Sequence, residues 1–241
     1  KELKGKVLHR IRALKDFGNV KTGDLGGWIE REDNLSQEDN CWVYKKGVVY
    51  DNAKVYENAL VLGNAKIYNN AEVYGNVKIY GRAEVCEDAK IYGNAKIYGN
   101  ALVLGNAKIY NNAEVYGNAL VYGRAEVYGN AEVYDNAWVY DNAEVFGYAE
   151  VFGNAKVYRN VEICGDNKLT GKLTSKVDEY IEIRNPEGRL VTCVLKNGEI
   201  LYNVGCQEEI TKEEFMNRIE NNNGGIKNNP HRELSKDNKS Q

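Results

Sequence analysis

Residue types that could carry chemistry are sparse in this chain and poorly spaced for it. Of its 2 histidines, His9 and His231, none falls between those positions. His9 lies in a strand-like stretch, where a histidine is usually packed or solvated, and it could act as a base only if that segment folded over a subunit boundary. The 5 cysteines, Cys41, Cys86, Cys164, Cys193 and Cys206, are odd in number and form no C-x-x-C pair. They match neither a disulfide framework nor a zinc spacing, and read as reduced thiols. The sequence therefore predicts no catalytic, cofactor-binding or metal-binding residue, and no cofactor. Its 32 basic and 35 acidic residues nearly cancel, which argues against a nucleic-acid partner. Mean hydropathy is −0.59, and no run of ten apolar residues offers a membrane span or signal core. The expectation is a cytoplasmic protein with no membrane partner.

The elements that would position any site come from a repeat. With 24 Gly, 18 Tyr and 31 Asn against 2 Pro and 1 Met, the composition is biased as repeats are. From Val43 to Thr174 the text divides into 22 hexads without a slipped residue. Position 1 is aliphatic in all 22, position 2 is Tyr in 15, position 4 is Asn in 15 and position 5 is Ala in 17. Ala-x-Val-Tyr reads as a strand whose Ala and Val point one way while the residue between them and the Tyr point the other. The remaining pair, typically Gly-Asn, is a corner needing positive φ, so the Asn column is expected to serve the backbone. Three hexads close a triangle, giving about 7 coils of roughly 18 residues stacked as parallel sheets. Alanine beside branched Val leaves no interior pocket.

These hexads resemble the left-handed β-helix of the hexapeptide-repeat acyltransferases, which implies a left hand that the period alone does not set. Position 2 departs from that family, which usually carries Gly or an acidic residue where this chain has Tyr. The family generally uses a histidine as general base between neighbouring subunits, and a long loop usually walls its acyl-donor site. Neither a histidine nor an interrupting loop occurs in the 22 hexads. The related γ-class carbonic anhydrases, which need three histidines on zinc, are removed by the same absence. Ahead of the repeats, Asp16-Phe17-Gly18-Asn19-Val20-Lys21, Gly26-Gly27-Trp28, Asn34-Leu35-Ser36 and Cys41-Trp42-Val43-Tyr44 resemble the N-terminal segment of YdcK-type hexapeptide proteins. Physically the segment is a cap, with Trp28 large enough to seal the aliphatic axis.

After Thr174 the pattern changes. Leu190 to Leu195 and Glu199 to Tyr202 flank Asn197-Gly198, the strongest hairpin signal, which would set Lys196 opposite Glu199 and Cys193 opposite Tyr202. Thr211-Lys212-Glu213-Glu214 is a capping box expected to start a short helix carrying Phe215 and Ile219. This part resembles C-terminal modules of phage-derived proteins. The chain thus divides into a cap (1–42), a β-helix (43–174), a β-meander with helix (175–222) and a disordered tail (223–241).

Outward residues fall into columns spaced by 18. Tyr56, Tyr74, Tyr92, Tyr110, Tyr128 and Phe146 form an aromatic ladder, beside Lys54, Glu72, Lys90, Lys108, Glu126, Glu144 and Glu162. Another face carries Leu102, Leu104, Leu120, Tyr122, Trp138 and Tyr140, an apolar patch of the kind that marks an interface. Residues 59–76 recur letter for letter at 101–118, a shift of seven hexads that moves the copy to the next face. Interchangeable units suit a spacer or binding surface better than a positioned active site. No Thr lies between Val43 and Leu169, which removes an ice-binding face, and the repeats mix 14 basic with 15 acidic residues, which removes a basic stripe. The reading is an all-β, left-handed parallel β-helix without enzymatic activity, of phage or mobile-element origin. It would act as a rigid scaffold or interaction module, binding a protein partner or itself through the apolar face; an acyl-CoA-dependent acyltransferase is the alternative.

Overall fold

A computed structural model describes residues 1–165, 168–170, 183–184, 190–196, 199–204, 207–211 and 213. Three sheets run the length of the repeat, one per face of a triangle. Face I has seven parallel strands, from Lys54–Val55 to Glu162–Ile163. Face II has eight, from Trp42–Val43 to Lys168–Thr170. Face III has nine: eight parallel strands from Leu25–Ile29 to Lys156–Val157, plus the antiparallel strand His9–Arg12 at one end. Partners lie 18 residues apart, as in Val55 with Val73, Val61 with Ile79 and Ile67 with Val85. The result is a parallel β-solenoid of about eight turns.

That is one turn more than the hexads alone supply, because the segment before them also winds a turn. Trp28 pairs with Val48, Leu35 bridges to Val55 and Trp42 pairs with Leu60, one contact on each face. Eight residues separate Leu35 from Val43 where a hexad has six, so the period breaks between them. Asp39 holds this wider corner, accepting the Ser36 hydroxyl at 2.8 Å and the Glu57 backbone N–H at 3.0 Å.

Inside the triangle, the Ala and Val or Ile columns from Ala53 to Val157 are almost wholly buried. Burying each branched side chain contributes roughly 1.5–3 kcal/mol before chain entropy is subtracted. At the corners the structure corrects the role expected for Asn. Positive φ falls on hexad position 3, in Gly63, Gly75, Asn69, Asp135 and their equivalents, and not on position 4. The position-4 asparagines instead bond to one another between turns: Asn58 donates to Asn76, Asn76 to Asn94, Asn94 to Asn112 and Asn112 to Asn130, at 3.0–3.1 Å. A ladder amide gives with one end and accepts with the other, which suits a stack of identical corners.

The cap is also built differently from expectation. Trp28 is half-exposed and points outward, with Leu8, Val48 and Tyr50 beneath it. The axis core is continued instead by Ala13, Val20, Ile29, Leu35 and Cys41, with Trp42 buried edge-on under Phe17 at 5.6 Å. Gly27, not Ala, fills the inward position beside Ile29, because a Cβ there would come within 2.5 Å of the Gly47 carbonyl. Asn34, almost wholly buried, accepts from the Glu30 and Arg31 amides and donates to the Asp51 and Ala53 carbonyls.

A separate antiparallel sheet comprises Ile183–Arg184, Leu190–Lys196, Glu199–Val204 and Gln207–Thr211. Its hairpin register is the expected one, Lys196 with Glu199 and Cys193 with Tyr202. Thr211 ends the fourth strand; of the helix expected to follow it Glu213 is described, in helical conformation, and the other residues of that helix and the tail at 223–241 fall outside the described residues.

Candidate interaction face

Over most of the solenoid, hexad positions 6 and 2 build one repeated polar arrangement. A position-6 Glu accepts the hydroxyl of the Tyr sixteen residues earlier: Tyr98 to Glu114 (2.9 Å), Tyr110 to Glu126 (3.1 Å), Tyr116 to Glu132 (2.8 Å), Tyr128 to Glu144 (3.0 Å) and Tyr134 to Glu150 (2.9 Å). A Lys one turn away pairs with the same Glu, as in Lys96–Glu114 at 2.6 Å and Lys108–Glu126 at 2.7 Å. The rings stack at 4.7–5.2 Å, including the whole column from Tyr56 to Phe146. Desolvation first, and then the neighbouring carboxylate, push the tyrosine hydroxyls up; that of Tyr128 reaches about 12.

On three consecutive turns of face III this arrangement is given up. Position 6 carries Leu102, Leu120 and Trp138, paired in register, followed by Lys156. Position 2 carries Leu104, Tyr122 and Tyr140, with Tyr122 and Tyr140 stacked at 4.8 Å and Tyr158 next at 5.1 Å. The six residues picked out in the sequence are thus brought together on one face. Trp138 is 37% exposed and the other five are half-buried. Sixteen residues after Tyr122 and Tyr140 stand Trp138 and Lys156, neither of them an acceptor. Among the described residues, these two hydroxyls and the Arg124 guanidinium therefore take no protein hydrogen bond.

The boundary of the patch is set by residues beyond those six. The Lys156 ammonium leans over the Trp138 ring, 4.2 Å from its centroid. Arg124, Asp141, Asn142, Arg159 and Asn160 line a cleft of about 450 Å³ on the corner that borders the Tyr122–Tyr158 column. A spacing of 18 brings these residues to one corner, and it could have found them had the corner positions been sorted like the strand positions.

Other chemistry-bearing groups are accounted for by structure. His9 is exposed on the antiparallel end strand of face III. Cys41 is buried against the Ser36 and Val55 carbonyls, and burial pushes its thiol up to about 11. Cys86 is buried and its thiol is likewise raised by desolvation. A second cleft, of about 550 Å³, lies where Arg31 donates to Asn52 and where Lys6 pairs with Glu30 and Asp51; the Lys6 pairs tie the antiparallel hairpin of Glu2–Leu3 and Lys6–Val7 to the solenoid. Among the described residues no group of three His, Cys, Asp or Glu could hold a metal ion, and no helix is long and apolar enough to cross a membrane.

No family model matches the chain. It is similar to a protein of Escherichia coli (strain K12) described as the uncharacterized acetyltransferase YdcK, with 46% identity over 46 residues. The match covers 19% of this chain and 14% of that relative's length. Together with the parallel solenoid, it fits a hexapeptide-repeat β-helix family.

Proposed function

We propose that the chain is a rigid, non-enzymatic β-solenoid scaffold that binds a protein partner, or a second copy of itself, through face III around Leu120 and Trp138. One observation carries the reading: Leu102, Leu120 and Trp138 stand where other turns place Lys and Glu that bond between turns. The exposed aromatic and aliphatic strip adds nothing to the interior, which has the same Ala and Val columns on every face. Patches of this kind are used for association. Replacing both Leu120 and Trp138 by Lys should leave the fold intact while abolishing association or partner capture; light scattering and circular dichroism read the two effects separately. Unchanged mass and unchanged partner binding in the double variant would sink the proposal.

The similarity to YdcK favours a second reading, an acyl-CoA-dependent acyltransferase. The geometry offers it little, since His9 is exposed on the cap strand and the hexads run without an inserted loop. Calorimetric titration with acetyl-CoA decides between the two. A ligand at 100 times its dissociation constant stabilises a fold by about 2.7 kcal/mol, so saturable heat with a matching thermal shift would establish the second reading.

A further inference from the structure

We infer, building on the interaction reading above, that the occupant of face III is an acidic segment of a partner protein bearing aliphatic or aromatic side chains. Arg124 stands on the corner that follows Tyr122. It occupies hexad position 4, where Asn142 donates to Asn160 at 3.1 Å in the same column. An Asn at 124 would stand one turn from both Asn106 and Asn142, in place to join the ladder, whereas the arginine bonds to nothing in the described protein. Arg124 thus forgoes ladder bonds to hold a free cation two residues from Tyr122.

Two more cations complete the border. Lys156 lies over Trp138, and the Arg159 guanidinium sits 5.9 Å from the Tyr158 ring. Two carboxylates border the strip and keep their charge: Asp141, in the cleft with Arg124 and Arg159, accepts the Arg159 backbone N–H at 3.2 Å, and Asp135 accepts that of Gly153 at 3.3 Å, whereas Glu84 is paired with Lys66 and accepts from Tyr68. The far border is a neutral amide ladder, Asn118 donating to Asn136. The strip therefore presents an apolar floor, two phenol donors without a protein partner, and three cations against the two carboxylates of Asp141 and Asp135, and its complement is a segment with carboxylates beside apolar side chains.

Two other occupants fit less well. An isologous pair of copies with its two-fold axis near the patch would set Arg124, Lys156 and Arg159 against their own equivalents. A nucleic acid would need open ring faces for its bases, but Tyr122, Tyr140 and Tyr158 are stacked on one another.

The test is selection of random 12-residue peptides displayed on phage against the immobilised full chain, with the Leu120→Lys/Trp138→Lys variant as counter-target. The expected pool is enriched in Asp and Glu together with Leu, Phe or Trp, and is not retained by the double variant. A synthetic peptide from that pool should bind Arg124→Asn about tenfold more weakly, while the thermal midpoint of Arg124→Asn rises, because the ladder gains an amide. Opposite signs in the two readouts separate a binding role from a structural one. A pool that is apolar without acidic enrichment, yet lost on the double variant, would overturn the acidic partner and leave the interaction face standing. No pool, peptide affinity unchanged by Arg124→Asn, or a single-stranded oligonucleotide binding the same face would each overturn the inference.

Discussion

Faces I and III have the same interior, and over three turns they have opposite exteriors. Inward, both are Ala and Val or Ile, almost wholly buried. Outward, face I ties its turns together through Lys108–Glu126, Tyr110 to Glu126 and Tyr128 to Glu144, whereas the upper part of face III has Leu102, Leu120 and Trp138 in the same places. The contrast teaches that core and exterior are carried by alternate residues of one strand, and the recognition proposed for face III falls to the outward set. Because successive side chains point to opposite sides, the outward set can be rewritten for a partner without touching the core.

The largest test of that separation is made inside. Val121→Ala, beneath the apolar strip of face III, and Val127→Ala, beneath the polar exterior of face I, should each cost about 1–3 kcal/mol, and the two values should agree within about 1 kcal/mol in urea unfolding. A markedly smaller loss on face III would mean that its core differs too, and that the exterior cannot be treated separately. Next in size are the corners. Asn112 accepts from Asn94 and donates to Asn130, so Asn112→Ala should cost about 1–2 kcal/mol. Arg82 stands between Asn64 and Asn100 as Arg124 stands between Asn106 and Asn142, and Arg82→Asn should raise stability by about 1 kcal/mol in the same assay.

Much of this was readable in advance, for a physical reason: a six-residue period puts the same residue type at the same place in every turn, so the inward columns and the 18-residue ladders follow from spacing, and the pairing of Lys196 with Glu199 follows from the Asn-Gly signal between them. What spacing does not carry was misread or missed. The turn wound by residues 25–43 was hidden because the gap from Leu35 to Val43 breaks the period. Trp28 and Trp42 could not be ranked as seals, since what covers each ring, Phe17 over Trp42, comes from a loop with no repeat. For Asn at the corner, backbone and side-chain roles predict the same column, and only the φ values and the amide distances separate them. The six residues of the patch were legible as two columns of three, but Arg124, Lys156 and Arg159, which give it chemical character, lie on the corner and in the next turn.

A smaller effect sharpens the comparison at single hydroxyls. Tyr110→Phe removes a hydrogen bond to Glu126 and leaves a half-buried carboxylate with one partner fewer, so it should cost about 1 kcal/mol. Tyr122→Phe keeps the stacked ring and removes a hydroxyl with no protein partner, so its cost should be near zero. Equal losses would show that the ring and not the bond stabilises both faces.

The smallest effect is the dependence on alkaline pH. The Tyr128 hydroxyl is pushed up to about 12 by desolvation and then by its bond to Glu144, against an ordinary value of 10.0 in the unfolded chain. A group whose value is raised on folding contributes stability that is complete below the unfolded value and is lost as pH climbs through the folded one. For Tyr128 the window is therefore pH 10 to about 12. Tyr122 is raised by desolvation and the charge of Asp141 without a carboxylate bond, so its share of the same decline is smaller. Both rings are half-exposed and solvent screens much of each contribution, which makes the amplitude modest. In a series of urea midpoints taken upward from pH 9, Tyr128→Phe should flatten the fall and Tyr122→Phe should barely change it. Identical slopes for the two variants would mean that the carboxylates of face I do not hold its tyrosines protonated, and that the two exteriors differ in shape rather than in electrostatics.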